Sequence, residues 1–186
     1  MSGVIGFAIS DYGPEVASII NNLKEKGITS LSSSIAIFAK QFWPEELKDA
    51  SLVPVPSSLS NSKKRGYSHT SLIAKALVRQ LPGLRTRELL RSKSKRLDQV
   101  GLSPKQRVEN LQGAFRTEIR GFHPNGRALV LVDDVLTSGA TLTEAITCLR
   151  TSGLEVACFF VFARAGELKP SVYKGERYTS TQSKME

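Results

Sequence analysis

Residues 154–163, LEVACFFVFA, carry only one charge, Glu155, and this run limits the fold more than any other stretch of the chain. A strand with one face in water alternates apolar and polar side chains, whereas an unbroken apolar run of this length reads as a strand buried on both faces. Residues 128–132, ALVLV, have the same character, and SLVPVP at 51–56 reads as a shorter strand ended by its prolines. Amphipathic segments separate them. Residues 14–27 place Val16, Ile19, Ile20 and Leu23 on one helical face, with Pro14 suited to the first turn and Gly27 to the end. Residues 31–43 predict a helix with Leu31, Ile35, Phe38, Ala39 and Phe42 inward. Residues 69–81 predict another, through Leu72, Ile73, Ala76 and Leu77. Further strands are expected at 86–90 and 114–119, and further helices from Ser103, with Gln106 completing a capping box, and over 139–150. Buried strands separated by helices imply an α/β fold, a mainly parallel sheet covered on both faces, and such sheets bind ligands beyond the carboxyl ends of their strands.

At 186 residues the chain reads as one domain with an appendage. The pattern divides it into a helical N-terminal hood at 1–50, a core at 51–166, and a polar, patternless tail at 167–186 that reads as disordered. Its two cysteines, Cys148 and Cys158, form no Cys-x-x-Cys pair, so neither a disulfide framework nor a structural zinc is expected. The N-terminus has a short apolar run with no basic residue before it, too short for a span and without the charged start of a secretory signal. A cytoplasmic protein without membrane insertion is the expectation.

The net charge of +9 is unevenly spread. Residues 51–84 hold five basic and no acidic side chains, and residues 85–107 hold eight basic against two acidic. Residues 128–163 reverse the balance, with one basic against four acidic. A cationic middle third suits an anionic partner, either nucleotide phosphates, pyrophosphate or nucleic acid, or is a solvated basic face.

The acidic block contains the chemistry. In LVLVDDVLTSGAT, 129–141, a strand runs through Asp133 and Asp134 into a turn of Thr137, Ser138, Gly139, Ala140 and Thr141 that opens a helix. Such a turn offers consecutive N–H groups, hydroxyls and the positive end of a helix dipole, a cradle for a phosphate. No Gly-Lys-Thr and no Gly-x-Gly-x-x-Gly is present, so the turn is neither a Walker loop nor a dinucleotide fingerprint. Carboxylates would repel the phosphate, but they accept hydrogen bonds from vicinal sugar hydroxyls. They also hold Mg²⁺ through water. Together these features fit a ribose 5-phosphate unit, with phosphate on the turn and diol on the aspartates.

This run resembles the phosphoribosyl pyrophosphate motif of type I phosphoribosyltransferases. With LVPVPSS, KKRGYSHTSLIAKAL, LLRSKSKRLDQVGLSPKQRVENLQGAF and the ending VFAR, residues 11–164 resemble the ComF family of competence-associated proteins that carry such a domain. The matching residues include Arg65-Gly66-Tyr67 and the later Gln99, Arg107 and Asn110. Two departures stand out. The cysteine-rich zinc segment that begins many relatives has no counterpart here, so no zinc is expected. Ser68-His69 replaces the usual Asn-Gln.

The resemblance implies Mg²⁺-dependent chemistry in which pyrophosphate leaves C1 of the ribose and a nucleophile replaces it. Asp133 and Asp134 then take the catalytic role, or hold part of the metal's water shell, and Thr137–Thr141 bind the 5-phosphate. Ser57 and Ser58 lie near pyrophosphate through their backbone. Lys63, Lys64 and Arg65 and, on a flexible basic loop at 91–100, Lys93, Lys95 and Arg96 supply positive charge. His69 reads as a residue that begins a helix and His123 as a turn residue. Two function classes remain open: phosphoribosyl transfer to an unidentified acceptor, or a non-turning-over phosphoribosyl pyrophosphate or single-stranded DNA module working with competence proteins. The acceptor and the oligomeric state have no signature in the sequence.

Overall fold

The computed structural model describes residues 4–57, 66–93 and 113–165. Its centre is a five-stranded sheet of β1 (Ile5–Asp11), β2 (Ser51–Pro54), β3 (Arg85–Thr86), β6 (Leu129–Leu136) and β7 (Val156–Arg164). The strand order is β1-β7-β6-β2-β3, and every neighbouring pair is parallel. The short strands β4 (Leu90–Ser92) and β5 (Phe115–Thr117) pair antiparallel in a separate ribbon. The helices are α1 (Pro14–Glu25), α2 (Leu31–Lys40), α3 (His69–Gln80) and α4 (Ala140–Thr151).

The unbroken apolar strands are buried as their composition requires, and the pleat divides their side chains between two cores. On one face Val130, Val132, Phe160 and Phe162 pack with α1, α2 and α3. On the other Leu129, Leu131, Phe159 and Val161 pack with α4. The layered α/β architecture expected from the sequence is therefore the observed one.

Two local expectations are corrected. Residues 5–11, taken as part of a helical N-terminal hood, form the edge strand β1, paired with β7 from Ile5 opposite Cys158 to Asp11 opposite Arg164. The helices that follow, α1 and α2, join the same core as α3. Gly6 explains the close fit of β1: a Cβ there would lie 1.9 Å from Cζ of the buried Phe159. In α2 the buried face is Ser32, Ile35, Ala36 and Ala39, mostly small residues that let the helix approach its neighbours, so Phe38 and Phe42 are turned out at 42% and 40% exposure. The two rings meet edge to face instead of entering the core.

After β2 the chain moves outward to β3, and after β6 it moves outward to β7, although β2 and β6 are neighbours. The carboxyl ends of β2 and β6 thus form a topological switch point, where the diverging connections leave a crevice.

Candidate phosphoribosyl-binding site

β6 is longer than the apolar run alone implies and carries Asp133 and Asp134 in its second half. Because neighbouring strand residues point to opposite faces, the two aspartates do different things. Asp134 continues the Val130–Val132 face toward α1 and α3 and is 5% exposed. Its Oδ1 accepts from Val135 N at 2.9 Å, while its Oδ2 forms an ion pair with Lys24 of α1 and faces His69 Nε2 at 3.4 Å. Asp133, on the α4 face, is half-buried, and its Oδ1 accepts from Asp134 N at 2.9 Å.

The electrostatics follow this division. Burial works to raise the pKa of Asp134 but is outweighed by His69 and Lys24, which hold the carboxyl well below its usual range. Asp133 is hemmed in by protein despite its partial exposure. Burial first, and the charge of Asp134 second, push it well above 3.8. The pair thus holds its negative charge on Asp134, where the Lys24 ammonium meets it.

The turn that follows has the form expected from its sequence. Thr137 and Ser138 are exposed. Gly139 stands before α4 at φ +73, a left-handed conformation that side chains with a Cβ resist. As a glycine cap it gives the helix no side-chain bond, and Ser138 Oγ makes only a long contact, 3.4 Å, with Ala140 N. The first turn of α4, with Thr141, is therefore open to an outside acceptor.

His69 and Lys24 are the residues that the sequence reading missed. His69, read as a plain helix-starting residue, is 6% exposed and lies at the diacid, with Nδ1 3.2 Å from Ser57 Oγ. Lys24 gave no signal, because it lies in an ordinary amphipathic helix and meets Asp134 only through packing. Tyr67 helps to place it: the hydroxyl of this motif residue donates to Leu23 O at 2.6 Å, next to Lys24. Ser68 caps α3 by accepting from Ser71 N, and Thr70 donates to Val55 O at 2.7 Å, strapping the helix start to the exit of β2.

The other expected pyrophosphate contacts divide into two groups. Ser57 is brought to the switch point. Lys93 follows β4, and its charge is felt at Cys148, well along α4 from the turn. Ser58, Lys63, Lys64, Arg65, Lys95 and Arg96, together with Gln99, Arg107, Asn110 and the helix expected from Ser103, lie outside the described residues, as does the tail from 167. His123 is exposed, in keeping with a turn residue. Both cysteines are free thiols, and burial pushes Cys158 up to about 12. Among the described residues no helix is long and apolar enough to cross a membrane.

Comparison with known proteins agrees with the geometry. Residues 68–185 match the phosphoribosyl transferase domain family. The chain belongs to this family. Within it, the chain is similar to proteins named for competence and DNA utilization. It is 33% identical over 114 residues to Competence protein F of Haemophilus influenzae, covering 61% of this chain and 50% of that one. It is 28% identical over 152 residues to the DNA utilization protein YhgH of Escherichia coli K12, covering 78% and 65%. To Competence protein ComFC of Bacillus subtilis it is 25% identical over 150 residues, covering 78% and 58%. The chain thus spans between half and two thirds of the length of these relatives.

Proposed function

We propose that this site binds phosphoribosyl pyrophosphate with Mg²⁺ and transfers the phosphoribosyl group to an acceptor in nucleotide or DNA utilisation. The observation that carries the reading is the continuity of β6, Asp133-Asp134 and the Gly139 turn at the switch point between β2 and β6. The 5-phosphate takes the N–H groups and hydroxyls of Thr137–Thr141. The helix dipole contributes only ~0.3–1 kcal/mol there, so the directed hydrogen bonds carry most of the affinity. Asp133, the more open carboxylate, accepts from the ribose diol. Asp134, held by Lys24 and His69, supplies a fixed negative charge behind it.

The donor set suits a divalent ion carried mainly by the ligand and its water. His69, Asp133 and Asp134 each offer one atom within 4.8 Å of one another, but Lys24 already neutralises Asp134. When bound, Mg²⁺ would offset the charge of the pyrophosphate as it leaves. The chain itself then positions the reactant, orients its hydroxyls and excludes water around a ribose that gains positive character.

Calorimetric titration with phosphoribosyl pyrophosphate and Mg²⁺, followed by pyrophosphate release across a panel of bases, tests the reading. Saturable binding with release for one acceptor establishes the transferase. Binding without release reduces the site to a sensing or DNA-associated module, and absence of binding removes the assignment.

A further inference from the structure

His69 stands where the family resemblance leads one to expect a different side chain, and its surroundings give it a specific task. It begins α3, directly after the capping Ser68, and its ring bridges the ends of two neighbouring strands. On one side is Ser57, past the end of β2; on the other is Asp134, near the end of β6. An ionised carboxylate can only accept, so the Nε2 that faces Asp134 carries the ring proton. In the neutral ring Nδ1 is then bare and accepts from the Ser57 hydroxyl. That commitment changes what Ser57 offers a ligand. Its proton is engaged, so its oxygen presents lone pairs, suited to a ribose hydroxyl or a metal-bound water and not to a phosphate oxygen.

We propose that His69, as the Nε2–H tautomer, is a positioning residue that bridges Ser57 and Asp134 and thereby couples ligand engagement at the β2 exit to the diacid on β6. The bridge stands on these contacts themselves, whereas the coupling rests on the phosphoribosyl pyrophosphate reading. Three further contacts make the bridge stiff. Thr70 ties the start of α3 to Val55, Lys24 holds Asp134 from the opposite helix, and Val135 N occupies the remaining carboxylate oxygen. A shift of Ser57 on ligand binding is therefore transmitted to the ring and to Asp134, because neither neighbour has slack to absorb it.

The chain has only two histidines, which makes the test direct. ¹⁵N-histidine-labelled protein at mildly alkaline pH, assigned with a His123→Gln variant, should show His69 with a protonated Nε2 and a bare Nδ1. The Nδ1 resonance should move in Ser57→Ala, and it should move again on saturation with phosphoribosyl pyrophosphate and Mg²⁺. Affinity should fall by up to about tenfold in His69→Leu, the loss of the hydrogen bond with Ser57. It should be largely restored in His69→Gln, whose amide can donate on one side and accept on the other. Should His69→Leu not fold, Ser57→Ala provides the same affinity test at a half-buried position. A protonated Nδ1, a ring signal indifferent to Ser57→Ala, or wild-type affinity in His69→Leu overturns the proposal. Failure of the unaltered protein to bind removes the ligand reading and with it the coupling, while the spectrum alone still decides the bridge.

Discussion

Asp133→Asn should make the ligand-free protein more stable and a poorer binder. Two carboxylate oxygens within 4.8 Å of each other repel by about 3 kcal/mol at an effective dielectric near 20. Lys24 already relieves part of this, leaving a net gain of about 1–2 kcal/mol for the amide wherever Asp133 is ionised. For a chain of this size that is a rise in Tm of roughly 2–8 °C. The pH dependence gives the sharper check. A carboxyl whose folded pKa is raised destabilises the protein when ionised, and wild type recovers that loss as pH falls through the raised value toward 3.8. The advantage of the variant should therefore be full at alkaline pH, above the raised value, and shrink on acidification. Thermal or urea unfolding across that range measures it, alongside calorimetry with phosphoribosyl pyrophosphate. The lost charged acceptor should weaken binding by about 1.5–3 kcal/mol, or roughly 10–100-fold. A variant less stable than wild type at alkaline pH, or an advantage that does not change with pH, would refute the electrostatic account. Unchanged affinity would refute the assignment of Asp133 to the diol.

Asp134→Asn should act in the opposite sense, because it strands the Lys24 ammonium; discounting for its quarter exposure, a loss of about 1–3 kcal/mol is expected in urea unfolding. In wild type the depressed pKa of Asp134 keeps that contribution at every pH above the ordinary carboxyl range and loses it only in stronger acid, so the variant's deficit should persist to low pH. Gly139→Ala forces a Cβ into a left-handed position at φ +73 and should cost about 1–2 kcal/mol, with weaker binding of ribose 5-phosphate as the functional readout. Gly6→Ala drives a methyl into the buried Phe159 ring and should lower stability by about 1–3 kcal/mol without altering the ligand affinity of correctly folded protein. Tyr67→Phe removes the bond to Leu23 O and should cost about 1 kcal/mol, a loss measurable in urea unfolding.

The apolar runs at 129–132 and 156–163 announced a sheet covered on both faces, because only such a strand can dispense with alternation. The β6 exit and its turn were equally legible, since phosphate-binding helix starts need glycine, hydroxyls and free N–H groups within a few consecutive residues. All of these are local properties, carried by neighbours in the chain. Other features depended on distance in sequence. Residues 5–11 became a strand because β7 offered an unpaired edge and Phe159 left room only for Gly6. Phe38 and Phe42 stayed outside because the close packing of α2 selected its small face. The inequality of Asp133 and Asp134 arose from the pleat, which turned one toward α4 and the other toward α1 and α3. Lys24, Ser57, His69 and Asp134 come from four separate stretches of the chain, and no local periodicity brings them together. Sequence determined the β6 exit and its glycine turn because their residues are contiguous; tertiary structure decided how the charge of the diacid is held, because that balance is set by groups that meet only when the helices pack on the sheet.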